Sequence, residues 1–540
     1  MNSAGALHTV AAVKFDDRRP LSQGSGGERG RTRSLQSGLN DQKLSGLSRR
    51  SFLRGAAGVT VGASTIGSGL QQAAVAAARD KVAPLAAVAT RPTPPWFDEA
   101  KLGIFIHWNA ASIPAFANVI LREDLPGDIF SGPGWQQQQF WRLNPYAEMY
   151  QNTMLVPDSE AGRNQAENFG NRPYDDFVSE FRSSTLRRWR PGPWAKLFAE
   201  SGAGYVVLTT KTEDGFLLWP SDTRNPNKSG WQAERDVVGE LASAVRAKGL
   251  RFGTYYAGGI DWSFQGLPIT DVASLLQALE LGDDYRAYAD AHWRELIARY
   301  KPSVLWNDYG FLPNPDAGPL FETYFNDVSD GVVNDRFDPE AQTSGQLQLD
   351  YTTVEYSTDY PAEGKWEATR GMGTSFGFNR LESEESYLSG TELIHLFVDI
   401  VAQGGNLLIN VGPTSRGEIP KAQEERLSTM GRWLRTNGAA IYKTRPWGRA
   451  KGITGDALQI RYTDSGDAIH AVILGEPRTN SVDIDVQLDA NAKVSLNGSQ
   501  GTLSSTRTPH GTRVTLPRRS ADESGFSLRL SPASAVHDPS

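Results

Sequence analysis

The chain has 540 residues, 39% of them hydrophobic and 22% charged, with a net charge of −7, seven histidines and no cysteine. Its length points to two folded domains behind a leader rather than one core. The acidic balance argues against a nucleic-acid partner, and the lack of cysteine excludes disulfides, thiolate metal sites and a cysteine nucleophile. The histidines show no HExxH-like spacing, so neither a catalytic metal nor another cofactor is expected.

Residues 1–48 are polar and rich in Gly, Ser and Arg, a composition expected to stay disordered. Arg49-Arg50-Ser51-Phe52-Leu53-Arg54 follows, then a mildly apolar, Gly/Ala-rich stretch to Ala78. Paired arginines, a mild apolar region and a small-residue end read as a twin-arginine signal, so residues 1–78 are extension plus signal peptide. The plainer alternative is an Ala-rich helix with a basic flank. The stretch is too Gly-rich for a stable membrane span. The mature protein is expected to be secreted, periplasmic or extracellular.

A linker over residues 79–95 precedes a region of alternating strand and helix patterns, 96–443. Strands are predicted at Gly103–Trp108, Tyr205–Thr210, Arg251–Ala257, Ser303–Asp308, Gly331–Arg336, Thr352–Tyr356, Thr374–Phe378 and Asn406–Gly412. Amphipathic helices are predicted at Trp194–Ser201, Asp236–Lys248, Asp283–Tyr300, Gly390–Ala402 and Gln423–Asn437. The alternation makes this an α/β region with a parallel sheet, either a (β/α)8-like barrel or an open doubly wound sheet. From residue 444 the texture changes to short alternating runs such as Ile469–Leu474, which read as a C-terminal antiparallel β-sandwich to 532, with a tail over 533–540.

In a barrel, chemistry gathers at the C-terminal ends of the strands. Those ends carry His107, Lys211 to Phe216, Tyr255, Asp261, Trp306, Asp308, Arg336 and Glu355. Any one of these can be a strand-end cap. Together they supply carboxylates, a histidine, an arginine and aromatic faces on one rim. Glycosidic bond cleavage needs such a set: one carboxylate attacks the anomeric carbon and a second protonates the leaving oxygen.

Several blocks resemble the α-L-fucosidase family, glycoside hydrolase family 29. They are Lys101–Trp108, Ser112–Ala115, Lys211-x-x-Asp214-Gly215-Phe216, Val304–Asp308, Trp366-Glu367 with Ser375–Arg380, Gly404–Pro413 and Gly438–Trp447. The resemblance implies a (β/α)8-like barrel followed by a β-sandwich, and exo-acting, retaining hydrolysis of terminal α-L-fucosides in an oligosaccharide or glycoconjugate, without a cofactor. It places the nucleophile at Asp308 and the acid/base at Glu355, with Glu367 as second choice. It places sugar contacts at His107, Glu148, Tyr255, Trp306 and Arg336.

The family pattern breaks in two places. Two consecutive histidines of the family are Thr212 and Glu213 here, and a tryptophan is Met149. These positions line the family's sugar pocket, so the resemblance implies that Thr212 and Glu213 bind the sugar, and an acceptor-only carboxylate selects different hydroxyls than imidazoles do. The alternative reading keeps the mechanism but changes the glycone, for example to an α-L-galactoside or α-L-glucoside. A reading from another class is a non-catalytic carbohydrate-binding protein on the same barrel.

Overall fold

The computed structural model describes residues 91–538 apart from 121–133, 171, 267, 280, 311–316, 338–348, 358–359 and 519–521. The expected extension and signal lie outside the described residues, as does all but the end of the linker.

Eight parallel strands form one sheet: β1 (Leu102–Ile106), β2 (Tyr205–Lys211), β3 (Arg251–Ala257), β4 (Val304–Asp308), β5 (Val332–Val333), β6 (Thr352–Glu355), β7 (Trp366–Gly371) and β8 (Gly405–Val411). Their order, β5-β4-β3-β2-β1-β8-β7-β6, is a cyclic permutation of the chain order, as a barrel requires. The remaining seam, between β5 and β6, is joined by a parallel bridge from Asn334 to Tyr351. It is reinforced where the Asp350 carboxylate accepts the Val333 N–H at 2.9 Å. The open doubly wound alternative is therefore set aside. The region is a (β/α)8-like barrel, and antiparallel sheets follow it.

Side chains on a strand alternate between two faces, and the barrel uses both. Phe105, Tyr205, Val207, Val304, Trp306 and Leu408 share one buried cluster inside the barrel. Their neighbours Ile104, Ile106, Val206, Leu208, Leu305 and Leu407 join a second cluster with the helices. Inside, packing is close enough that a Cβ on Gly103 would lie 2.4 Å from the Tyr205 ring. Truncating a filler such as Phe105 to Ala would cost about 3–5 kcal/mol.

The outer layer includes α1 (Pro191–Glu200), α2 (Val237–Arg246), α3 (Asp283–Tyr300), α4 (Gly390–Ala402) and α5 (Lys421–Asn437). The starts of two are set by side chains. Asp236 accepts the Gly239 N–H at 2.8 Å ahead of α2. Ser389 and Glu392 form a reciprocal capping box at α4.

Two sequence expectations need correction. The seventh strand is Trp366–Gly371, not Thr374–Phe378. Its buried Glu367 and its Arg370 break the apolar pattern by which strands are read. The Thr374–Phe378 backbone is instead held as a loop by side chains. Glu382 accepts the N–H groups of Thr374 and Ser375, and Glu148 accepts that of Gly377. The fifth strand is only Val332–Val333, shorter than Gly331–Arg336. Arg336 is consequently presented by the segment beyond it.

From Arg445 the strands are antiparallel, forming a five-stranded and a three-stranded sheet around Ile460, Ile473, Val482, Val514 and Leu528. They dock on α4 and α5. Trp433 Nε1 donates to the Gly525 carbonyl at 2.9 Å, and Asn437 Oδ1 accepts the Ser527 N–H at 2.9 Å.

Candidate active site

The period of two that fills the barrel also aims its rim. Two residues beyond Phe105 comes His107, two beyond Trp306 comes Asp308, two beyond Thr353 comes Glu355, and two beyond Leu408 comes Asn410. All four rim residues are buried.

Asp308, at the end of β4, is held by three donors. Arg336 Nη1 donates to its Oδ1 at 2.8 Å, the Tyr309 backbone N–H reaches the same oxygen at 3.1 Å, and the Tyr255 hydroxyl reaches Oδ2 at 3.0 Å. Glu355, at the end of β6, takes Arg336 Nη2 on Oε2 at 3.0 Å. One guanidinium thus bridges both carboxylates. Arginine's planar fork suits this, because each nitrogen donates in its own fixed direction.

Arg336 is itself fixed from three sides. Its Nε donates to Thr353 Oγ1 at 2.9 Å, and Thr353 passes its own hydroxyl hydrogen to Asp335 at 2.7 Å. The Arg336 carbonyl accepts from Asn307 Nδ2 at 3.0 Å. Its charged end lies 4.7 Å from the centre of the Trp306 ring. Trp306 in turn stacks on Tyr255, with ring centres 5.4 Å apart.

His107 Nδ1 lies 2.7 Å from Asn410 Oδ1, while Asn410 Nδ2 donates to the Phe376 carbonyl at 2.6 Å. The opposite amide orientation would set two oxygens against each other, so the Asn410 oxygen faces the ring. Nδ1 therefore carries a proton, and in the neutral tautomer this leaves the lone pair on Nε2. The His107 ring packs beside Tyr255 and Phe376, at 5.4 and 4.9 Å between centres. Glu148 joins this side of the site. Its Oε2 accepts the Gly377 N–H at 2.7 Å, fixing the loop that carries Phe376.

Thr212 and Glu213, which replace the family's paired histidines, are both buried. The Thr212 hydroxyl donates to Asp214 at 3.0 Å and accepts from Asn109 at 3.1 Å. Its hydrogen is directed to Asp214 within the protein. Burial lifts the Asp214 carboxyl to about 6. Glu213 Oε1 accepts the Tyr309 hydroxyl at 2.7 Å. Met149 packs in the interior cluster with Phe105, Trp306 and Phe376.

Glu367 lies below the rim, in register with Thr353 rather than Glu355. Its two oxygens accept from Tyr205 and from Trp306 Nε1, the latter at 3.2 Å. Burial raises its carboxyl to about 7. The site is thus supported from beneath by a carboxyl group hydrogen-bonded to Tyr205 and Trp306.

Sequence reasoning missed Asn410, Tyr309 and Thr353. Asn410 left one usable signal: an amide inside the apolar run Leu407-Leu408-Ile409-Asn410-Val411. Tyr309 and Tyr356 left none. Each follows one of the bridged carboxylates, and each has a left-handed backbone, with φ of 63° and 48°. For a bulky residue that conformation costs about 1–3 kcal/mol and persists only where its surroundings enforce it. Among the described residues no three His, Asp or Glu side chains are grouped as a metal site would need. No described helix is long and apolar enough to cross a membrane.

Comparison with known proteins bears on this geometry. A sequence model of the family described as Alpha-L-fucosidase matches residues 69–439. The tissue α-L-fucosidase of Homo sapiens is 31% identical over 447 residues, spanning 79% of this chain and 86% of that protein. The α-L-fucosidase of Branchiostoma floridae is 34% identical over 410 residues, or 73% and 82% of the two chains. Among solved structures, the α-fucosidase of Thermotoga maritima in complex with a mechanism-based inhibitor superposes with a TM-score of 0.72. It is 36% identical, with 82% of this chain and 98% of that one covered.

Proposed function

The chain belongs to the α-L-fucosidase family of glycoside hydrolases, and from that premise we propose that it removes terminal α-L-fucose from an oligosaccharide or glycoconjugate, with net retention. The observation that carries the reading is the pair Asp308 and Glu355, bridged by Arg336. One guanidinium reaching both carboxylates favours the short separation of a retaining pair, about 5 Å, over the wider gap that seats a water between acid and base.

In the first step Asp308 attacks the anomeric carbon, and Glu355 gives its proton to the departing glycosidic oxygen. In the second step Glu355 takes a proton from water, which displaces Asp308 from the sugar. The shared arginine couples these roles. Its two terminal nitrogens hold Asp308 and Glu355 in fixed positions on either side of the reacting bond. His107 Nε2 accepts from a sugar hydroxyl, and Tyr255 and Trp306 give the site its aromatic wall.

The test is kcat/KM for aryl α-L-fucoside, α-L-galactoside and α-L-glucoside side by side. A clear preference for fucoside is the expected result. Binding without turnover of any of them overturns the hydrolytic reading. A second reading, the same chemistry on a different glycone, is favoured by Thr212 and Glu213, and a win for galactoside or glucoside would select it.

Export through the twin-arginine route completes the proposal. Arg49-Arg50 followed by the small-residue stretch to Ala78 supports it. Replacing both arginines with lysine is expected to leave the enzyme inside the cell. Unchanged export of that variant would remove the support.

A further inference from the structure

Glu213 stands where the family pattern has an imidazole, and the sequence suggested that it meets the sugar. Its surroundings suggest a different task. Its Oε1 accepts the hydroxyl of Tyr309, the residue immediately after Asp308, at 2.7 Å. Tyr309 in turn has a left-handed backbone, φ 63°, and that turn folds its N–H back onto Asp308 Oδ1 at 3.1 Å. A tyrosine does not rest in this conformation unaided.

Two neighbours hold it there. On one side, the turn after β3 presses against it: a Cβ on Gly259 would lie 1.9 Å from the Tyr309 carbonyl oxygen. The N–H groups of Gly258 and Gly259 donate to the Asp308 carbonyl at 2.9 and 3.3 Å. On the other side, Glu213 fixes the far end of the tyrosine ring. Glu213 is itself tied to the β3 side, because its carbonyl accepts the Trp262 N–H at 2.7 Å. The Glu355 side has a parallel. Tyr356, also left-handed, anchors its hydroxyl on the carbonyls of Gly373 and Thr374 at 3.0 and 2.7 Å.

We propose that Glu213 is a positioning residue for Asp308, acting through Tyr309: the carboxylate pins the phenol, the pinned ring keeps the left-handed turn, and the turn holds a backbone donor on the attacking carboxylate. On this account the departure from the family pattern at residue 213 trades a side chain at the pocket wall for a brace behind the nucleophile. The inference rests on the assignment of Asp308 as nucleophile made above.

Steady-state kinetics of Tyr309→Phe, Glu213→Leu, Glu213→Gln and the Tyr309→Phe/Glu213→Leu double variant test it, on an aryl α-L-fucoside and with melting temperatures recorded. Tyr309→Phe and Glu213→Leu should each lower kcat about 10-fold with KM nearly unchanged, since loss of alignment is felt in the reaction step. The double variant should fall about 10-fold and not 100-fold, because both changes break one link. Glu213→Gln should stay within about 3-fold of the parent, since an amide oxygen still accepts the phenol.

A Tyr309→Phe variant with parental kinetics overturns the inference, as does a Glu213→Gln variant with raised KM or a reordered sugar preference. Both would return Glu213 to the sugar. Additive losses in the double variant overturn it as well. Should Glu213→Leu fail to fold, Tyr309→Phe and Glu213→Gln still decide between the two roles. Asp308→Gly with added azide separates this from the underlying assignment: activity lost and then restored by azide upholds the nucleophile, whereas full activity without azide removes the premise itself.

Discussion

The two flanks of the site are held by different physics. The flank formed by the ends of β4 to β6 is ionic: Asp308 and Glu355 converge on Arg336 in a region closed to solvent. The flank formed by the end of β2 is a hydrogen-bonded lattice, in which Asn109, Thr212 and Asp214 satisfy one another and Glu213 holds Tyr309. Charge brought close in a buried place is costly to assemble and reactive once assembled. A closed set of hydrogen bonds gives rigidity instead. Substitutions on the first flank should therefore act on the rate, and those at Thr212 on stability.

The largest effect belongs to Asp308. Asp308→Ala is expected to lower kcat/KM on aryl α-L-fucoside by about 10⁴-fold or more, as loss of a covalent nucleophile does. A loss under about 100-fold would move the reaction away from β4. Next comes Glu355→Ala, with about 10²–10⁴-fold lost on substrates whose leaving group needs a proton. The loss should shrink for a strongly acidic phenol that departs unaided. An equal loss on both leaving groups would mean that Glu355 is not the acid.

On the other flank, Thr212→Val should change kcat/KM by no more than about 3-fold. It should also destabilise the fold by about 1–3 kcal/mol, because Asn109 and Asp214 each lose a buried partner. Chemical denaturation and kinetics on one preparation separate the two effects. A large rise in KM at unchanged stability would put Thr212 back in the pocket.

The smallest effect is a slope. Burial holds the Glu367 carboxyl at about 7, up from 4.5. Between those values the unfolded chain has released this proton and the folded one retains it. The stability linked to the group is fully present below about pH 4.5 and is lost as pH rises through about 7. Glu367→Gln should make the fall in melting temperature across that window shallower. An unchanged slope would show that Glu367 is not the group responsible.

The sequence made much of this visible because period and composition are local. The strand at Arg251–Ala257 and the helices Asp283–Tyr300 and Gly390–Ala402 match their expected limits to the residue. Trp366–Gly371 was hidden because Glu367 is a buried ionisable group, and apolar periodicity has no way to announce one. At the site, residue types and order pointed to Asp308, Glu355, Arg336 and His107. What they did not reveal is partnership. Asn410 meets His107 across 303 positions and Tyr309 meets Glu213 across 96, contacts that only the closed barrel creates. The same holds for Thr212: its sequence position placed it at the rim, but only its neighbours show where its hydrogen goes.

A double displacement at the Arg336-bridged pair can be read from proton NMR of the sugar first released from 4-nitrophenyl α-L-fucoside. α-L-Fucose should appear first and only then mutarotate. Initial release of β-L-fucose would contradict it, because a single inverting step has no place for Asp308 as a covalent nucleophile.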